Sequence, residues 1–221
     1  MFGIHLGRTR GRNVAVVDIG SASAGVAILS LRSSGEVIVK AAERTLLSME
    51  ERAQEASIAA LGEALKTAGE NVQKKYAASD QKGGAAIGSV YVVVHAPWSR
   101  SETARVKNTP KEETVITDAI ISDLAKKALS EAREIDGKNL MEASVIRVEL
   151  NGYGTANPKG KRAKEIVVYA LLSDFSEGVR STIETALQKI FPHLTPVFRS
   201  STRAAITVLR EAAQEEGDYL L

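Results

Sequence analysis

Asp18, Gly20, Ser21, Ala22 and Ser23 are the residues whose types and spacing best suit chemistry. An apolar run from Val14 ends in the Asp18 carboxylate, turns through small residues, and resumes as a second apolar run after Gly25. Glycine lets a backbone approach a ligand closely, and the N–H groups and hydroxyls of such a turn can donate to phosphate oxygens. Asp18 could then hold a hydrated magnesium ion, a hard cation suited to carboxylate and water. The same residues also satisfy a plain β-hairpin, because tight turns call for Asp and Gly. Both readings stand at this level.

Few other side chains compete. His95 closes the apolar run 89–95 and reads as a sheet-end histidine, with no acidic or nucleophilic partner identifiable from the sequence. His5 and His193 lack metal-ligand spacing to each other. Trp98, the single tryptophan, follows Pro97 and reads as a packing residue at a junction. Arg8, Arg10 and Arg12, and Lys159, Lys161, Arg162 and Lys164, form the basic clusters, which read as solvated loops.

The elements that must position Asp18 follow from periodicity. The two apolar runs around the turn predict a hairpin, and residues 36–40 extend it as a third strand. Ser48 and Glu51 form a capping box opening a helix over 48–72, whose apolar positions include Leu61, Ala64, Leu65, Ala68 and Val72. Residues 79–84 are a polar, Gly-rich breaker, and 89–95 is a β-branched run that predicts a strand buried on both faces. Beyond Pro97 the pattern changes. Residues 99–107 alternate, Thr117 and Asp118 cap a helix, 144–150 alternate again, and 165–173 form another strand. Turn residues around Asn151 and Asn157 separate the last two. Strand, helix, strand, strand is the order of a small α+β module set into a larger α/β unit. A helix over 176–190, a strand near 195–198, a helix over 201–216 and the start of a strand at 217–221 return to the first pattern.

Composition narrows the class. The chain has 221 residues, 44% of them hydrophobic, so it can build a sizeable core. It has no cysteine, which excludes disulfides and thiolate metal sites. Its apolar runs fall far short of the ~20 residues that cross a bilayer. A net charge of +2 gives no electrostatic case for nucleic acid.

Three patterns carry a family resemblance. VDIGS, from Val17 to Ser21, resembles a first phosphate loop. Thr114 to Asp118, with the helix after it, resembles a characteristic helix start. Leu150 to Gly154 followed by Asn157 to Gly160 resembles a characteristic turn. In this order they resemble the N-terminal half of the FtsA family of bacterial cell-division proteins, in the actin-like ATPase superfamily; the PilM family of type IV pilus machines is the second resemblance. The resemblance implies an α/β, ribonuclease H-like ATPase subdomain over 1–96, an inserted module over 97–174, and a return to the subdomain over 175–221, with the C-terminal half of the ATPase missing. It implies ATP and Mg2+ as cofactors, held by Asp18, Gly20, Ser21, Ala22 and Ser23, with Asp18 meeting magnesium through water. Binding by this stretch alone is expected to be weak or absent, and catalysis is left open. It implies a self-associating adaptor at the inner face of the cell membrane, with FtsZ as partner and a C-terminal segment as membrane anchor. The alternatives are a PilM-like cytoplasmic scaffold gripping a peptide of a pilus or secretion assembly protein, or an interaction module without ATPase activity. One departure stands out: many members of the family carry a lysine in or just after the first loop, and this chain has no cation from Ser21 to Ala27.

Overall fold

The computed structural model describes residues 12–48, 53–79 and 86–213. In chain order the elements are β1 (Arg12–Ile19), β2 (Ser23–Leu31), β3 (Val37–Leu46), α1 (Gln54–Ser79), β4 (Ile87–Val94), β5 (Ser99–Asn108), β6 (Thr114–Val115), α2 (Asp118–Glu131), β7 (Leu140–Leu150), β8 (Tyr153–Gly154), β9 (Arg162–Ala163), β10 (Ile166–Phe175), α3 (Glu177–Ile190), β11 (Pro196–Ser200) and α4 (Ser201–Ala213). The expected capping box at Ser48 and Glu51 falls partly, and the strand at 217–221 wholly, outside the described residues.

Five strands form one sheet in the order β11-β4-β1-β2-β3. β1 and β2 are antiparallel, and β1 and β4 are parallel, so Asp18 and His95 stand at the same, carboxyl edge. One face of the central strands is well covered: Ala15, Val17, Ile19, Val90, Val92 and Val94 share it and are buried, whereas Val16, Tyr91 and Val93 on the other face are half-buried, so β4 is not closed on both faces as its β-branched run suggested. α1 supplies Leu61, Leu65, Ala68 and Val72 to this core, and α3 supplies Val179, Ile183 and Leu187. The two helices approach closely at glycines. A Cβ on Gly62 would stand 2.8 Å from Thr182 Cγ2, and one on Gly69 would stand 2.2 Å from Ile190 Cδ1.

Two bounds differ from the sequence expectation. α1 begins at Gln54 rather than 48 and runs on to Ser79. Nothing between Val72 and Ser79 breaks a helix, and the Tyr76 hydroxyl accepts a hydrogen bond from Asn13 Nδ2 at 2.7 Å. β3 runs past Lys40 to Leu46, because its residues on both sides of a register shift at Lys40 find partners on β2, from Val37 opposite Leu31 to Leu46 opposite Ser23.

A second sheet has the order β5-β10-β7-β8, and α2 packs on it. Its core is Val106, Ile116, Leu124, Ala128, Val148, Leu150, Ile166, Val168 and Leu172. The Thr117 side chain caps α2 by accepting from Ile120 N. Asn151 and Gly152 both adopt positive φ, 51° and 86°, the requirement of the tight turn joining β7 to β8. The described residues of Met1–Trp98 and Glu177–Phe198 form one compact unit, and those of Ser99–Ser176 and Arg199–Leu221 form a second.

Candidate functional site

The loop between β1 and β2 is assembled as a turn closed on itself. Gly20 N donates to Ser23 O at 2.9 Å, and Trp98 Nε1 donates to Gly20 O at 2.8 Å. Trp98 is buried, and its indole is therefore a tie on the loop as well as packing. Ala22 O accepts from Leu47 N at 2.9 Å, which fastens the loop to the chain just past β3.

Asp18 has two cationic or protic partners. Its Oδ2 accepts from Arg44 NH2 at 2.5 Å, and its Oδ1 lies 2.7 Å from His95 Nε2, which donates to the ionised carboxylate. The second terminal nitrogen of Arg44 donates to Ser23 Oγ at 2.7 Å. Partial burial works to raise the Asp18 carboxyl, but the hydrogen bonds and charge of Arg44 and His95 outweigh it and hold the carboxyl below the ordinary carboxylate range.

The register explains how Arg44 arrives. Asp18 lies directly opposite Gly25 on β2, and Gly25 lies directly opposite Arg44 on β3. Paired residues share a face, so Asp18, Gly25 and Arg44 form a row across three strands. The middle member has no side chain, and the guanidinium lies over it. A Cβ on Gly25 would stand 3.0 Å from Arg44 NH2 and 3.2 Å from its Cζ.

The structure thus brings Asp18, Gly20 and Ser23 together, adds Arg44, His95 and Trp98, and leaves Ser21 exposed at the turn. Sequence reasoning missed all three additions. A signal existed for His95: two apolar runs, each closed by a polar side chain, are what adjacent parallel strands ending at one edge look like. Arg44 had no such signal once the third strand was stopped at Lys40.

These residues suit a phosphate. Arg44 uses two of its five N–H donors on Asp18 and Ser23, and its side chain is 51% exposed, so the guanidinium has donors to offer outward. Magnesium is less well served. Both Asp18 oxygens already accept from protein groups, so the ion could meet the carboxylate only through water. Among the described residues, no three His, Cys, Asp or Glu come together to hold a metal.

On the second sheet, charged side chains are engaged with neighbours in the same unit. β5 is an edge strand, yet Arg100 pairs with Asp174, Lys107 with Glu165, and Arg105 lies 5.9 Å from the Tyr169 ring centroid. In the basic loop 157–164, Lys159 pairs with Asp118 and Arg162 with Glu113, and β9 pairs with β6. Its basic side chains thus have partners within the same unit and remain largely solvated, as a solvated loop should. No described helix is long and apolar enough to cross a membrane.

No family model matches the chain, and no curated protein matches it. Solved structures do. One is a chain of the PilM–PilN type IV pilus biogenesis complex, with a TM-score of 0.51 and 13% identity, covering 93% of this chain and 52% of that one. Another is a Bacteroides thetaiotaomicron protein with an actin-like ATPase fold and unknown function, at a TM-score of 0.35 and 9% identity, covering 91% and 56%. The fold is α/β, of the actin-like ATPase type. The similarity to the pilus complex is one of fold, and this chain spans about half the length of that protein.

Proposed function

We propose that this chain is part of a PilM-like scaffold: an actin-fold protein at the inner face of the cell membrane that grips a cytoplasmic peptide of a pilus or secretion assembly protein. The observation that carries this reading is the extent of the likeness to the PilM–PilN chain. At 93% coverage it takes in the β5-β10-β7-β8 sheet as well as the sheet bearing Asp18. The FtsA-like division adaptor, with FtsZ as partner, is the family's other branch, and the structures named above include PilM and not FtsA.

Within this reading the turn from Gly20 to Ser23 receives the phosphate end of ATP. The phosphate would face the half-exposed Arg44 guanidinium and the hydroxyls of Ser21 and Ser23; any magnesium would meet Asp18 only through water. Nucleotide there would stiffen the scaffold by tying β1, β2 and β3 to one ligand.

Deletion of the gene in its source organism tests the reading. A pilus or secretion scaffold predicts loss of surface pili or of the secreted cargo, with normal cell length. Long, undivided cells with intact pili would reject it in favour of the division adaptor.

A further inference from the structure

We infer that Arg44 is the phosphate-binding cation of this site and that it makes binding there largely independent of magnesium. The inference rests on the nucleotide reading given above and says which residue carries it. Three observations converge. The register places Arg44, Gly25 and Asp18 in one row across β3, β2 and β1. Gly25 carries no side chain, and the guanidinium lies 3.0 Å from the place a Cβ would occupy there. Its position is fixed by two ends, Asp18 Oδ2 at 2.5 Å and Ser23 Oγ at 2.7 Å, while half the side chain stays exposed.

This is how a binding arginine is pre-oriented. A carboxylate holds one side of the planar fork, and the half-exposed guanidinium keeps N–H donors to spare for an oxyanion. Asp18 is then an anchor. With Arg44 on one oxygen and His95 on the other, the carboxylate has spent its charge on the protein and has little left for a hydrated divalent ion. Gly25 leaves room for the arrangement: a Cβ in the middle of the row would press on the guanidinium at 3.0–3.2 Å.

The test is direct binding of a fluorescent ATP analogue to the complete gene product, with magnesium and with excess EDTA. The wild-type protein should bind in both conditions with affinities within about tenfold of each other, whereas a magnesium-bridged site loses far more. Arg44→Ala should weaken binding about tenfold or more in both conditions, the size of one charge-assisted hydrogen bond. Arg44→Lys, which keeps the charge without the fork, should fall between. Adding Gly25→Lys to Arg44→Ala should recover most of the loss, because the new ammonium occupies the vacated row. Circular dichroism melts check that each variant is folded, and Arg44→Lys carries the test if Arg44→Ala is not. Binding that vanishes in EDTA and ignores Arg44→Ala would overturn the role of Arg44 while leaving the nucleotide reading intact. No binding by wild type in either condition would overturn both.

Discussion

Gly69→Ala adds a single methyl group where α1 meets α3, and its effect can be worked out from the geometry. In a helix interior the change alone is favourable by about 0.8–1.0 kcal/mol. Here the new Cβ would lie 2.2, 2.6 and 3.0 Å from Ile190 Cδ1, Cγ1 and Cγ2. A bend of one terminal methyl does not clear three contacts. Ile190 is buried, so its side chain has no room to rotate away. Its backbone is also held, since its carbonyl accepts from Gln73 Nε2 at 3.1 Å. Overpacking of this kind costs about 1–3 kcal/mol. The net expectation is a loss of roughly 1 kcal/mol, a fall in Tm of about 2–4 °C for a chain of this size. Urea titration followed by circular dichroism measures it, with the midpoint moving and the slope unchanged. In an Ile190→Ala background the clash is gone, and Gly69→Ala should then stabilise by about the propensity term. Stabilisation by Gly69→Ala in the otherwise unaltered protein would refute the close helix approach.

Two further expectations concern charge. Asp18 is held below the ordinary carboxylate range, so the stability its pairing contributes is fully present above the unfolded carboxyl value of about 3.9 and is lost as pH falls through the lower folded value. The stability difference between wild type and Asp18→Asn should therefore be constant at neutral pH and shrink only below about pH 4; shrinkage between pH 5 and 7 would contradict the pairing. In the second unit, the buried Asp174 accepts from Arg100 Nε and NH2 and from Asp136 N. Arg100→Ala should cost about 1–3 kcal/mol by orphaning a buried acceptor, and a urea midpoint equal to wild type would count against it.

Much of the fold was legible because its signals are local. Buried β-branched runs gave β1, β2 and β4, alternation gave β5 and β7, and Thr117 gave the cap of α2. β3 was read short because an edge strand need not alternate: Lys40, Glu43 and Arg44 sit in it as charged residues, and its length is set by pairing with β2. That shortfall hid Arg44. The site was half legible for the same reason. Asp18, Gly20 and Ser23 lie within one turn, whereas Arg44, His95 and Trp98 reach them from 21 to 78 residues away in sequence, through strand register that no single segment encodes. The partners of the loop 157–164, Glu113 and Asp118, were not legible because they belong to a different segment.

The central claim is that this fold serves to hold a peptide of a pilus or secretion assembly protein. Titration calorimetry tests it most directly. The complete gene product is titrated with the synthetic cytoplasmic segment of each inner-membrane assembly protein encoded beside it, and separately with the C-terminal tail of FtsZ from the same organism. The account predicts saturable one-to-one binding to one of the assembly segments and none to the FtsZ tail. Binding to the FtsZ tail, with every assembly segment silent, would contradict it.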